Sequence, residues 1–163
     1  MGVLLGISRP MARSPQGQRA YALKPFYRGQ RVTVVGAITQ NRILALKVLD
    51  HSLKADDFRS FIQEDLAPQL WPGAVVVMDN LATHKVQGIE SALQAVGAEQ
   101  LFLSAYSPDF NPIEHLWWQL KAFLRQFTPT TITLVEQLLD VGRLLCSATQ
   151  LRNYFAHCCY CTS

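Results

Sequence analysis

The chain has no apolar run that approaches the roughly 20 residues of a membrane span. Its opening stretch, residues 1–7, is too short for a secretory signal and is broken off by Ser8-Arg9-Pro10. These two absences set the expectation of a cytoplasmic protein with no membrane partner. Cysteine is scarce, with four in all: Cys146, Cys158, Cys159 and Cys161. The last three stand beside His157 and invite a zinc reading. No second ligand pair stands at a loop-closing distance, so reduced, partly exposed thiols on a terminal tail are expected. A strong charge of one sign is also missing. Fifteen Lys and Arg against twelve Asp and Glu leave +3 and a pI near 8.8. That excess is compatible with nucleic acid, but the solvated face of an ordinary enzyme gives the same total. Finally, no acidic residue stands at the start of the chain.

What is present suffices for a sizeable core: 163 residues, 49% of them hydrophobic, predict one domain over 1–163. Residues 8–31 are rich in Arg, Pro, Gly and Gln, and Arg9, Arg13, Arg19, Lys24, Arg28 and Arg31 meet no acid there. Either a solvated loop or a phosphate-contacting segment would look like this. The β-branched runs 31–38 and 42–49, separated by Thr39-Gln40-Asn41, predict an antiparallel hairpin. A helical pattern follows over 54–70, stopped at Trp71-Pro72-Gly73, and 74–79 predicts a buried strand. Helices are predicted over 87–96, 112–127 and 133–146, and a short strand over 99–103. The order β-β-α-β-α-β-α-α implies a mixed sheet flanked by helices, antiparallel on one side and parallel on the other. Trp117 and Trp118 lie on the third predicted helix, where one ring facing the core and one facing outward is an option; the core is expected for each.

Asp79 closes the apolar run Ala74-Val75-Val76-Val77-Met78, and Glu114 follows the turn Ser107-Pro108-Asp109-Phe110-Asn111-Pro112-Ile113. Thirty-four residues separate the two acids, room for one helix, one strand and a loop. Ligands of open α/β sheets sit beyond the carboxyl ends of the parallel strands, where Asp79 falls. Each acid has an ordinary explanation as well: Asp79 as a turn or helix-capping residue, and Glu114 as a carboxylate favoured by a helix dipole. Together they can hold divalent cations for phosphodiester chemistry.

Met78-Asp79-Asn80, His84, the segment Tyr106-Ser107-Pro108-Asp109-Phe110-Asn111-Pro112-Ile113-Glu114 and Trp117 resemble the signature of insertion-sequence transposases of the mariner-like superfamily. The resemblance extends from about Val3 to the tail, through Gly17-Gln18-Arg19-Ala20-Tyr21 and Tyr154-Phe155-Ala156-His157-Cys158. It implies a DDE-type catalytic domain with an α/β, ribonuclease H-like fold, which cuts and joins DNA strands in transposition. Asp79 would be the second catalytic acid and Glu114 the third, both ligands of Mg²⁺ or Mn²⁺ in a two-metal site. Asn80, His84, Asp109 and Asn111 would orient those acids or shape their loops, with His84 a hydrogen-bond partner before it is a ligand. Arg13, Arg19, Lys24, Arg28 and Lys121 would face double-stranded DNA, namely the element's ends and its target.

The sequence departs from the family at its beginning. The family's first acid belongs to an Asp-Glu pair just before the residues matching Gly2-Val3, and here the chain begins with Met1. Asp50, Asp56 and Asp57 are out of register to replace it. The expectation is therefore a sheet with its first strand missing and no N-terminal helix-turn-helix, from a truncated or split reading frame. The metal site would be incomplete, and activity in this chain doubtful. A catalytically dead DNA-binding or regulatory remnant is the alternative, and a cellular nuclease of the same fold a third. An uncovered sheet edge would make the isolated chain poorly soluble, or drive a homodimer or assembly with a partner fragment.

Overall fold

The computed structural model describes residues 1–21, 29–105 and 107–160. Strands β2 (Arg31–Ile38) and β3 (Ile43–Leu49) form the expected hairpin, with Thr33 opposite Leu49 and Ala37 opposite Ala45. The Thr39 hydroxyl closes the turn by accepting the Asn41 and Arg42 N–H groups at 3.2 and 3.1 Å. A strand not foreseen before Arg31, β1 (Gly2–Leu4), runs antiparallel along β2 and pairs Val3 with Val32. The position of the expected missing strand is thus held in part, and Val3 is buried there at 1% exposure. Strands β4 (Val75–Met78) and β5 (Glu99–Phe102) pair in parallel as a separate two-stranded sheet.

Helices cover the sheets on both faces. On one face Val3, Val32, Val34 and Ile43 pack against Leu116, Trp117, Leu120 and Leu124 of α3 (Ile113–Phe127). Val135, Leu138 and Leu139 of α4 (Ile132–Leu145) and Leu151 of α5 (Ala148–His157) complete that core. On the other face Ala45 and Met78 meet Phe58, Phe61, Ile62 and Leu66, together with Ile89 and Leu93. The first four belong to α1 (Ala55–Ser60) and the turn beyond it; the last two belong to α2 (Ile89–Ala95). Each helix shows the three-to-four-residue apolar spacing that burial of one stripe requires. Among the described residues, no helix is long and apolar enough to cross a membrane.

The structure corrects several local expectations. The helical run after Lys54 changes from α to π over Phe61–Leu66 and to 3-10 over Ala67–Gln69. Pro68 has no N–H with which to continue the α pattern, which fits the change of winding. Trp118 is 73% exposed while Trp117 is buried, because adjacent helical positions point about 100° apart. Val75 is 55% exposed, so β4 is not buried throughout. The tail is not a loose end: α5 spans Ala148–His157, and the Cys158 thiol behind it is buried. Burial pushes the Cys158 thiol pKa up, as does the negative charge of Asp109.

Helix α5 begins at a capping box that escaped the sequence reading. The Ser147 hydroxyl accepts the Gln150 N–H at 3.2 Å, and the Gln150 side chain accepts the Ser147 N–H at 2.9 Å. Ser147→Ala is expected to cost about 1 kcal/mol of stability, measured by urea denaturation against the parent.

A histidine pins the start of α1. His51 bridges Asp50 at 2.6 Å and Asp57 at 2.9 Å, and Asp57 also accepts the Lys54 N–H at 2.9 Å. Hydrogen bonds donated by the ring to Asp50 and then Asp57 raise the His51 pKa above its ordinary 6.5. A raised folded-state pKa means the contribution is complete below 6.5 and is lost as pH rises through the elevated value. His51→Gln should therefore destabilise the protein more at pH 6 than at pH 8, in paired denaturation curves.

Candidate catalytic and metal-binding site

Asp79 stands one residue beyond β4, where the sheet ends and the chain must turn. The Leu103 N–H donates to the Met78 carbonyl at 2.8 Å, and the Asn80 side-chain amide donates to the Leu103 carbonyl. Those two bonds tie the ends of β4 and β5 together and fix the base from which Asp79 projects. Its Oδ1 accepts the Leu81 N–H at 3.2 Å and lies 2.6 Å from His84 Nδ1. The His84 ring is itself stacked on Phe58 at 4.2 Å, so a buried core residue holds the imidazole that holds the carboxylate. Among the described residues Oδ2 has no hydrogen-bond partner.

Glu114 comes from a different layer. Residues Pro108–Phe110 make a 3-10 turn, and the Asn111 N–H donates to the Pro108 carbonyl at 2.9 Å. The Asn111 carbonyl then accepts the Glu114 N–H at 3.0 Å, which sets the first turn of α3. Glu114 is exposed and sits where a helix dipole favours a negative charge. Asp79, Asn111 and Glu114 line one cleft of about 320 Å³ together with Met1 and Trp117.

The Met1 amino group reports the field of this cleft. Burial lowers its pKa, while Glu114 and, more weakly, Asp79 pull it upward against Lys121. Met1, at the start of β1, shares the cleft lining with both acids. Lys121 lies two helical turns beyond Glu114 on α3, on the same stripe.

The remaining candidates divide. Asp109 is exposed on the 3-10 turn and lies near Cys158. Arg13 and Arg19 are exposed on the irregular segment after β1, with no hydrogen bond or ion pair to the acids among the described residues. Lys24 and Arg28, like Tyr106 and Cys161, lie outside the described residues. The sequence reading also missed Phe155 and Tyr160, which line the cleft. The Tyr160 hydroxyl donates to the Phe110 carbonyl at 3.1 Å and so braces the turn before Glu114. The Ser147-to-Gln150 capping box was the signal that an ordered helix led to them.

The donors at this cleft suit a hard cation. Mg²⁺ is commonly held by one or two carboxylates, with water and substrate phosphate completing its shell. Asp79 and Glu114 supply that chemistry, and the unpartnered Asp79 Oδ2 is the kind of atom such an ion would take. No group of three or more His, Cys, Asp or Glu side chains converges among the described residues. The residues present thus fit a singly held ion but not a fully protein-built pair, and the terminal cysteines form no zinc cage within that set.

A family model described as "DDE superfamily endonuclease" matches residues 1–135. The chain belongs to that family. Its fold is the ribonuclease H-like α/β fold of the Mos1 transposase catalytic domain, as three solved structures show. The Mos1 transposase paired-end complex with left transposon end has a TM-score of 0.78 at 17% identity, over 96% of this chain and 49% of that one. The Mos1 mariner paired end complex with Mn gives 0.71 at 16% identity, over 96% and 50%. The catalytic domain of Mos1 mariner transposase gives 0.65 at 16% identity, over 78% and 68%. The chain spans about half the length of the transposase chains in the two complexes. No curated protein matches the sequence.

Proposed function

We propose that the chain is a transposase catalytic domain of the mariner-like superfamily, and that it cleaves and joins DNA strands with divalent metal at Asp79 and Glu114. The observation that carries this reading is the shared cleft: two carboxylates, with thirty-four residues between them in sequence, border one cavity beyond the carboxyl end of a parallel strand. A bound Mg²⁺ or Mn²⁺ would polarise a phosphodiester and activate a water or 3′-hydroxyl. The chain's own residues do the rest. His84 and the Leu81 N–H hold Asp79 by one oxygen. The Asn111 turn and Tyr160 position Glu114. Lys121 supplies positive charge for DNA phosphates.

Double-stranded DNA is the proposed partner, supported by the Mos1 structures, which are named for a transposon end and for Mn or Mg. The domain spans 1–163, works in the cytoplasm, and associates with a second copy or a partner fragment. A second reading is a domain that binds DNA without cleaving it.

The test is cleavage of labelled element-end DNA with Mg²⁺ or Mn²⁺, using Asp79→Ala and Glu114→Ala as controls. Metal-dependent nicking lost in both variants supports catalysis. DNA binding without nicking, unchanged across the three proteins, supports the second reading.

A further inference from the structure

A second cavity, of about 380 Å³, lies beside the Asp79–Glu114 cleft, and His84 lines both. It sits between strand β5 and the chain that follows Asp79, namely the 3-10 turn Ala82–Lys85 and α2. Gln100 and Phe102 alternate along β5 and so border it from one face of the strand. Phe102 stands opposite Met78, the residue before Asp79, so its ring is at the catalytic end. The exposed Lys85 ammonium is 5.6 Å from the centre of that ring, near the limit of about 6 Å for a cation–π contact. Glu90 and Gln94 border the cavity from α2, one turn apart, with the Gln94 amide donating to Glu90 at 3.2 Å. An aromatic face, a cation, a carboxylate and carboxamides thus share a space that Asp79 and Glu114 do not line.

Those are the groups that recognise a nucleotide. A nucleobase stacked on an aromatic side chain gains about 1–3 kcal/mol. Lysine holds a phosphate as a point charge. A carboxamide reads adenine at its amino and N7 edge, and a carboxylate accepts from a base amino group. The volume lies within the roughly 300–1,000 Å³ of small-molecule sites. A ligand that is only an anion fits worse, because Glu90 opposes it and Phe102 gives it nothing. We propose that this cavity holds one unstacked nucleotide of the DNA strand that passes the Asp79–Glu114 cleft, its base on Phe102 and its phosphate at Lys85. The lysine stem is flexible, so the ammonium leaves the ring for the phosphate as the base takes its place. Through the shared His84 wall, neighbouring nucleotides of one strand reach the cleft and the cavity together. The inference rests on the reading of the cleft as a DNA site, but neither acid lines the cavity, so nucleotide binding there needs no metal.

The test is a titration of the whole chain with dAMP in EDTA, monitored by equilibrium dialysis and by amide NMR shifts. The expected result is saturable binding, with shifts at Lys85, Gln94, Gln100 and Phe102. Lys85→Gln, on the surface, and Phe102→Leu, which keeps an apolar side chain, should each bind dAMP at least fivefold more weakly, the equivalent of about 1 kcal/mol. Glu114→Ala should bind it as the parent does. Deoxyribose 5-phosphate, which lacks the base, should bind at least fivefold more weakly, and a decamer of deoxyadenylate should displace dAMP. No saturable dAMP binding, or equal binding without the base, overturns the proposal. So does loss of binding in Glu114→Ala, which would put the nucleotide in the cleft. Failure of the decamer to displace dAMP overturns it too, by making the ligand a free nucleotide. Strand nicking is read separately, so its absence beside intact dAMP binding would count against the chemistry of the cleft and not against this cavity.

Discussion

Leu116→Ala is expected to lower the free energy of unfolding by about 3 kcal/mol, within the range seen for fully buried leucines. Leu116 has no exposed surface and lies where α3 meets the β1–β3 sheet and α4. The loss combines the transfer of its methyl groups with a cavity that this site cannot collapse to fill. Two close approaches hold the surrounding backbone. A Cβ on Gly36 would stand 2.8 Å from the Trp117 ring, and one on Gly142 would stand 2.8 Å from a Leu120 methyl. At both glycines a side chain would force the facing residue to shift. Leu144→Ala is the control: at 81% exposure it should change stability by less than about 0.5 kcal/mol. Urea denaturation of the three proteins separates these outcomes.

Glu114→Ala and Asp79→Ala should behave in the opposite way. Glu114 is exposed, and its removal costs α3 only a dipole interaction of about 0.3–1 kcal/mol. Asp79 loses one bond to the Leu81 N–H and one to His84, a local cost of about 1–2 kcal/mol. If the pair holds the metal, either change removes several kcal/mol of transition-state stabilisation, about a thousandfold in cleavage rate. The two carboxylates should thus be nearly dispensable for folding and indispensable for nicking, measured on one set of preparations. A variant that unfolds before it loses activity would assign the acid to the scaffold instead.

The elements with a strong local period were legible in the sequence. The hairpin follows from its β-branched runs, and α3 from the stripe of Leu116, Leu120 and Leu124. The site was legible because Asp79 ends an apolar strand and Glu114 opens a helix after a proline-rich turn. Features set by tertiary contact were not legible. Three residues, Gly2–Leu4, are too few for a pattern, and they form a strand only because β2 offers an edge. Helix α5 is weakly amphipathic, and its burial depends on Leu151 reaching the α3–α4 core. The stacking of His84 on Phe58 joins residues 26 positions apart, which no local spacing announces.

The direct test of the central claim is Mn²⁺ binding followed by electron paramagnetic resonance, on the parent chain, Asp79→Asn and Glu114→Gln. The account predicts one saturable Mn²⁺ site in the parent, displaced by Mg²⁺ and weakened at least tenfold by either substitution. Equal Mn²⁺ binding in all three proteins would contradict it.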